Sequence, residues 1–170
     1  MPALNTLHDL YVKQLRDLYS AETQLLDALP RMAAAASDST LRTGLERHLD
    51  QTRVQAQRLD SLFMDLDCTP GGHTCQAMRG LLAEADELLR RDAPPAVRDA
   101  GLIACAQRVE HYEISAYGTA AKLADTLRLP HHAERLRLSE REEQAADLSL
   151  SAAATPINRA ALGPATAALR

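Results

Sequence analysis

From Tyr11 to Leu150, apolar residues recur four and three positions apart in four long runs, and in every run acids or a histidine occupy places in that same register. Spacing of this kind puts side chains on one face of a helix and makes that face a core seam. The first run is Tyr11, Leu15, Leu18, Glu22, Leu25 and Leu29, and the second Leu41, Leu45, His48, Thr52, Gln55, Leu59, Leu62 and Leu66. The third is Ile103, Ala106, Glu110, Glu113, Tyr117 and Ala120, and the fourth Leu136, Ser139, Glu143, Asp147 and Leu150. An ionised carboxylate is tolerated on a buried seam only where a cation or several donors satisfy it. The pattern therefore predicts a helical bundle with a metal site inside it.

Turn chemistry divides the chain into helices over about 4–35, 40–66, 76–91, 96–127 and 131–152. Ser37, Asp38 and Ser39 supply N-cap chemistry, and Thr69-Pro70-Gly71-Gly72, Asp92-Ala93-Pro94-Pro95 and Leu129-Pro130 supply breaks. Pro30 lacks a backbone donor and crowds the preceding turn, so a kink or an irregular last turn is expected there. Two tight hairpins joined by one long connection carrying a short extra helix describe an all-α, ferritin-like four-helix bundle with a single crossover. Composition agrees: the 46% apolar fraction rests on Ala and Leu, with one Phe and no Trp, which favours helices over sheets. One domain over residues 1–150 is expected, followed by a tail, 151–170, in which Pro156 and Pro164 interrupt Ala-rich sequence and which docks as a short helix or stays loose.

A net charge of -4 without a basic run makes nucleic acid an unexpected partner. No apolar stretch approaches the roughly 18 residues a membrane span needs, and Met1-Pro2-Ala3-Leu4-Asn5 does not read as a leader, so a cytoplasmic protein is expected. Cys68, Cys75 and Cys105 form no CxxC. Cys68 and Cys75 flank a loop containing His73, where a redox pair or soft-metal clip is the minor reading beside ordinary loop and core cysteines.

Counting along the helices places the polar seam residues at one depth. Glu22 lies 13 residues before Ala35 and His48 lies 10 after Asp38; Glu113 lies 14 before Leu127 and Glu143 lies 12 after His131. At about 1.5 Å per residue each pair meets within about one turn. Singly, most of these residues have a bland home. Glu22 suits an exposed face, His48 a hydrogen-bonded core position, and Thr52 and Gln55 bonds within the bundle, while Glu143 and Asp147 suit an acidic surface with Glu140 and Glu142. Glu110 and Glu113 share a face and repel unless protonated or bridged by cations. Together, Glu22, His48, Glu110, Glu113, Glu143 and Asp147 predict a pair of divalent ions, iron or manganese, with Glu110 or Glu113 bridging and Glu22, His48 and Glu143 as terminal ligands. Tyr19 and Tyr117, one turn from Glu22 and Glu113, are candidate catalytic phenols, as hydrogen-bond donors or redox-active groups, with core filling as their plainer role. His111 points about 100° away from Glu110 and suits a supporting or interface position.

At these residues the chain resembles a known family. Leu18-Tyr19-Ser20-Ala21-Glu22, His48-Leu49-Asp50-Gln51-Thr52 with Arg58-Leu59, Gln107-Arg108-Val109-Glu110-His111-Tyr112-Glu113-Ile114 with Tyr117-Gly118, and Glu142-Glu143 with Asp147 look like the YciE/YciF-type bacterial stress proteins, over about residues 4–150. The resemblance implies a rubrerythrin-related bundle, a di-iron centre and a homodimer. Gln51 stands where relatives often carry an acid, and the Glu-x-x-His pairs of standard ferritin-like sites are absent, which removes ligands and leaves metal occupancy open. The expected function is metal binding in stress defence, with Fe(II) oxidation by peroxide or dioxygen, a ferroxidase- or peroxidase-like activity. The rival is a non-catalytic helical interaction protein whose polar seam residues fix register or pair with one another.

Overall fold

A computed structural model describes residues 4–162 and places them in five helices. They are α1 (Leu7–Ala35), α2 (Ser39–Asp65), α3 (Gln76–Arg90), α4 (Pro95–Thr126) and α5 (Pro130–Ala161). Residues 1–3 and 163–170, with the readings made of Met1-Pro2-Ala3 and Pro164, lie outside the described residues.

The local chemistry accounts for the boundaries. Thr6 and Asp9 form a capping box that satisfies free amides at the start of α1. Asp38 caps α2 by accepting from Thr40 and Leu41, and Cys75 caps α3 through its sulfur. Pro95 and Pro130 open α4 and α5 at the position where a missing N–H costs nothing. The α1–α2 turn is also held from across the bundle: buried Asp99 of α4 accepts from the amides of Ser37 and Asp38, each at 2.8 Å.

Helices α1 and α2 pack as one hairpin and α4 and α5 as the other, and α1 meets α4 while α2 meets α5. The all-α, ferritin-like arrangement read from the seams is the observed one. Helix α3, carried by the crossover, lies outside the four against α1 and α4. Its approach to α4 is close, since a Cβ on Gly101 would lie 2.8 Å from the Leu88 methyls. Helix α1 runs five residues past Pro30 to Ala35, its expected end, whereas α5 runs through Pro156 to Ala161, well past the expected end near residue 152. Burial of Ile157 against the upper core anchors this extension, so tertiary contact outweighs the proline's local cost.

The apolar seam residues divide into two clusters. One gathers Leu25, Leu29, Leu41, Leu45, Met78, Leu102 and Leu150; the other gathers Tyr11, Leu15, Leu18, Leu59, Leu62, Tyr117 and Leu136. On every long helix the polar seam residues fall between the two.

Candidate metal centre

Each long helix contributes to this middle layer. Glu22 comes from α1, His48, Thr52 and Gln55 from α2, Glu110 and Glu113 from α4, and Ser139 and Glu143 from α5, all of them buried. His48, Glu110, Glu113 and Glu143 each bring a donor atom within 4.8 Å of the others. His48 Nε2 lies 3.5 Å from Glu110 Oε1, and its Nδ1 lies 3.8 Å from Glu143 Oε2. Glu22 joins from the opposite side. It accepts a short hydrogen bond from the Tyr117 phenol, and its charge is felt at Glu113 and Glu110.

Removal from water dominates the electrostatics. Burial, then the charge of Glu143, pushes the Glu22 carboxyl well above the ordinary carboxylate range. Glu110 and Glu113 are pushed the same way, first by burial and then by their acidic neighbours. Burial draws the His48 imidazole below its usual value, so the ring is neutral and able to donate a lone pair to a metal. Buried Tyr117 is held well above the usual phenol value, first by burial and then by Glu22. It therefore remains a protonated donor.

Hydrogen bonds leave much of this layer unanswered. Glu22 Oε2, both ring nitrogens of His48, Glu110 Oε2, both carboxylate oxygens of Glu113 and Glu143 Oε2 are buried with no hydrogen-bond partner. Buried polar atoms are paired in the great majority of cases, so such a concentration at one depth has the character of a ligand set. The donors also suit the charge: four carboxylates balance two divalent cations, and oxygen with one imidazole is a donor set for iron or manganese. Of the described residues, His48, Glu110, Glu113 and Glu143 form the group with metal-holding geometry, and Glu22 lies outside it.

The other sequence candidates sit apart. Asp147 is half-buried and its Oδ1 accepts from Gln107 Nε2 at 3.1 Å, with His111 Nδ1 3.5 Å from the same oxygen. Tyr19 packs edge-on against Phe63, 6.1 Å between centroids, and its phenol responds to Asp60 after burial itself. Exposed His111 bonds the Gln107 carbonyl. Gln51 lies beside His48 on the α2/α5 side. Cys68 and Cys75 are free and belong to different apolar neighbourhoods, and His73 bonds Asp17 at 2.5 Å, so no metal clip forms there among the described residues.

Of a supporting set on α2 and α5, sequence reasoning gave Gln55 hydrogen bonds within the bundle and assigned Arg58 no role. Gln55 donates to Glu143, fixing that carboxylate, and reaches Glu142 at 3.1 Å. Arg58 grips Glu142 with both terminal nitrogens, at 2.8 and 3.1 Å, and Ser139 Oγ at 2.5 Å. The adjacent acids Glu142 and Glu143 were the available signal, because two neighbouring carboxylates near a core require a cation for one of them. A second pair, Tyr11 bonded to His132 Nδ1 at 2.9 Å, ties α1 to α5; Tyr11 lies on the first seam, but His132 has no mark in the seam pattern.

Comparison with known proteins gives the family and the fold. Residues 6–162 match the family described as a domain of unknown function, DUF892. Protein YciF of Escherichia coli K12 is 40% identical over 149 residues, 87% of this chain and 90% of that protein. The crystal structure of the E. coli stress protein YciF superposes with a TM-score of 0.88 at 38% identity, covering 92% of this chain and 99% of the other. YcfI of Rhodopseudomonas palustris, provisionally described as a structural protein, gives 0.84 at 41% identity over 86% and 94% of the two chains. A ferritin-like, diiron-carboxylate protein of Bacillus anthracis shares the fold, at a TM-score of 0.70 and 14% identity over 89% of this chain and 100% of that one. This chain belongs to the DUF892 family of YciF-type proteins.

Proposed function

We propose that this protein binds two divalent ions, iron or manganese, in the mid-bundle layer and uses them in stress defence to oxidise Fe(II) with peroxide or dioxygen. The observation that carries the reading is the set of buried carboxylate oxygens and imidazole nitrogens with no partner in the protein. Glu22, His48, Glu110, Glu113 and Glu143 are the ligands in this proposal, with Glu110 or Glu113 bridging. Asp147 and Tyr19 remain outside the ligand set, and Tyr117 serves by donating to Glu22. Bound ferrous ions would supply electrons to the oxidant. The chain's own part is to exclude water, hold four carboxylates within reach of one another and keep the Tyr117 phenol donating to Glu22. Gln55 and Arg58 orient the α5 acids.

Anaerobic Fe(II) titration of the metal-free protein tests this directly. Two ions per chain are expected, and the double change Glu110→Ala with Glu113→Ala abolishes uptake; absence of stoichiometric binding in the wild type overturns the reading. We also propose a cytoplasmic homodimer, and a native mass far above a dimer by light scattering would instead favour a storage cage. The description of YcfI as structural supports one rival, a helical interaction protein in which His48 pairs with Glu110 and Glu143 instead of a metal. In that case the purified protein carries no metal and a chelator leaves its Tm unchanged.

A further inference from the structure

Helices α2 and α5 do not close over the centre. A cavity of about 380 Å³ lies between residues 39–51 of α2 and 146–153 of α5, and its inner wall is made by His48 and Glu110. These two residues are common to the cavity and the ligand cluster. The space exists because small residues face each other across the gap, Gly44 from α2 and Ala146 from α5. A Cβ built on Gly44 meets nothing within 4 Å, whereas one on Gly118, at the α4/α5 contact, would lie 2.9 Å from a Glu140 oxygen. Gly118 permits close packing, while Gly44 borders empty room.

The volume decides what the room can hold. Hydrogen peroxide or dioxygen needs little more than the ~30 Å³ share of a water molecule, about a tenth of the cavity. Its volume instead falls at the lower end of the range of small-ligand pockets, and at that share it admits on the order of ten non-hydrogen atoms. Leu41, Leu45 and Leu150 offer an apolar wall, buried His48 and Glu110 form the inner end, and Thr43, Arg47, Gln51 and Ser149 are among the polar residues lining the rest. An occupant with an apolar body and one oxygen-bearing head fits both.

We propose that the α2/α5 cavity is the binding chamber for an organic hydroperoxide, its hydrocarbon body against Leu45 and Leu150 and its peroxy oxygens toward His48 and Glu110. The binding rests on the cavity; the chemistry rests on the metal reading above. Reduction breaks the O–O bond with two electrons and two protons and releases the alcohol and water. Two Fe(II), as co-substrates, give one electron each and leave as Fe(III), and the two protons come from solvent.

The test uses the full chain in two forms. Metal-free protein is titrated with 2-phenylpropan-2-ol, the alcohol formed from cumene hydroperoxide, by ligand-observed NMR. Saturable binding is expected, weakened tenfold or more by Gly44→Leu or Ala146→Leu, with circular dichroism confirming that each variant folds. In the Fe(II)-loaded chain, Gly44→Leu slows oxidation by cumene hydroperoxide tenfold or more and leaves the hydrogen peroxide rate within twofold. No saturable binding to the wild type, equal binding to the filled variants, or equal slowing with both peroxides overturns the chamber, even with Fe(II) uptake intact. Binding that the filled variants lose, in a chain that takes up no Fe(II), overturns the metal reading and the hydroperoxide reaction, while confirming a ligand site in the cavity.

Discussion

Asp99 and Glu113 are both buried carboxylates of α4, and they are kept in opposite ways. Asp99, near the start of the helix, has both oxygens filled by the amides of the α1–α2 turn at 2.8 Å. Glu113, on the seam in mid-bundle, has both oxygens empty and faces other acids. A buried acid with backbone donors is part of the architecture. One without them destabilises the folded chain until a cation arrives, and this difference separates structural acids from candidate ligands more sharply than burial does.

The comparison can be broken most strongly at Asp99. Asp99→Ala leaves the part-buried amides of Ser37 and Asp38 without their charged acceptor and is expected to cost about 3 kcal/mol in urea unfolding, with or without metal. A change under about 1 kcal/mol would show that the turn does not depend on this acid. In metal-free protein Glu113→Gln should have the opposite sign, a gain of about 1–2 kcal/mol from removing a buried, unpartnered carboxyl that resists ionisation, together with loss of any metal-induced rise in Tm. Destabilisation in the absence of metal would mean that Glu113 has a protein partner after all.

The same contrast appears in pH dependence. Glu22, Glu110 and Glu113 are raised above the ordinary value of 4.5 in the folded chain. Below that value both folded and unfolded states are protonated, and stability is fully present. Above it the unfolded chain loses protons that the folded chain keeps, so metal-free stability falls as pH rises toward the folded values. The His48 and His132 imidazoles, lowered by burial, act in the opposite sense below about pH 6.5, so denaturation midpoints should decline between about pH 7 and 8, and saturating metal should abolish or reverse the slope. A metal-free midpoint that rises over this interval contradicts the raised carboxyls.

Smaller effects sharpen the boundary of the centre. Arg58→Met removes the partner of Glu142, whose part exposure limits the cost to about 1–2 kcal/mol in unfolding measurements. Metal affinity should fall as well, because Glu142 is then free to compete for Gln55. Tyr117→Phe removes one hydrogen bond to Glu22, for about 1 kcal/mol, and its larger consequence should be a changed Fe(II) oxidation rate at unchanged stoichiometry. Altered stoichiometry instead would assign Tyr117 to the ligand set.

Much of this was open to reading in the chain itself. Register alone places Glu22, His48, Glu110, Glu113 and Glu143 on the seams, and counting from the turns brings them to one height, because helical rise and periodicity are local properties. Asp147 occupies the same register as Glu143, yet four residues further along it is half-exposed and engaged with Gln107. Tyr19 and Tyr117 look equivalent by spacing, yet Tyr117 reaches Glu22 while Tyr19 turns to Phe63. Periodicity assigns a face, and it cannot say where along that face the neighbouring helix closes off solvent.

The sequence by itself determined the helices, their pairing into two hairpins and the presence of acids that a bundle core cannot leave uncompensated. Only the tertiary structure decided which of those acids share one space, that Asp99 is satisfied while Glu113 is not, that α5 continues past Pro156, and that α2 and α5 stand apart beside His48. The reason is range. Propensity and register act over a few residues of one helix, whereas partner, burial and cavity depend on side chains contributed by helices far away in the chain.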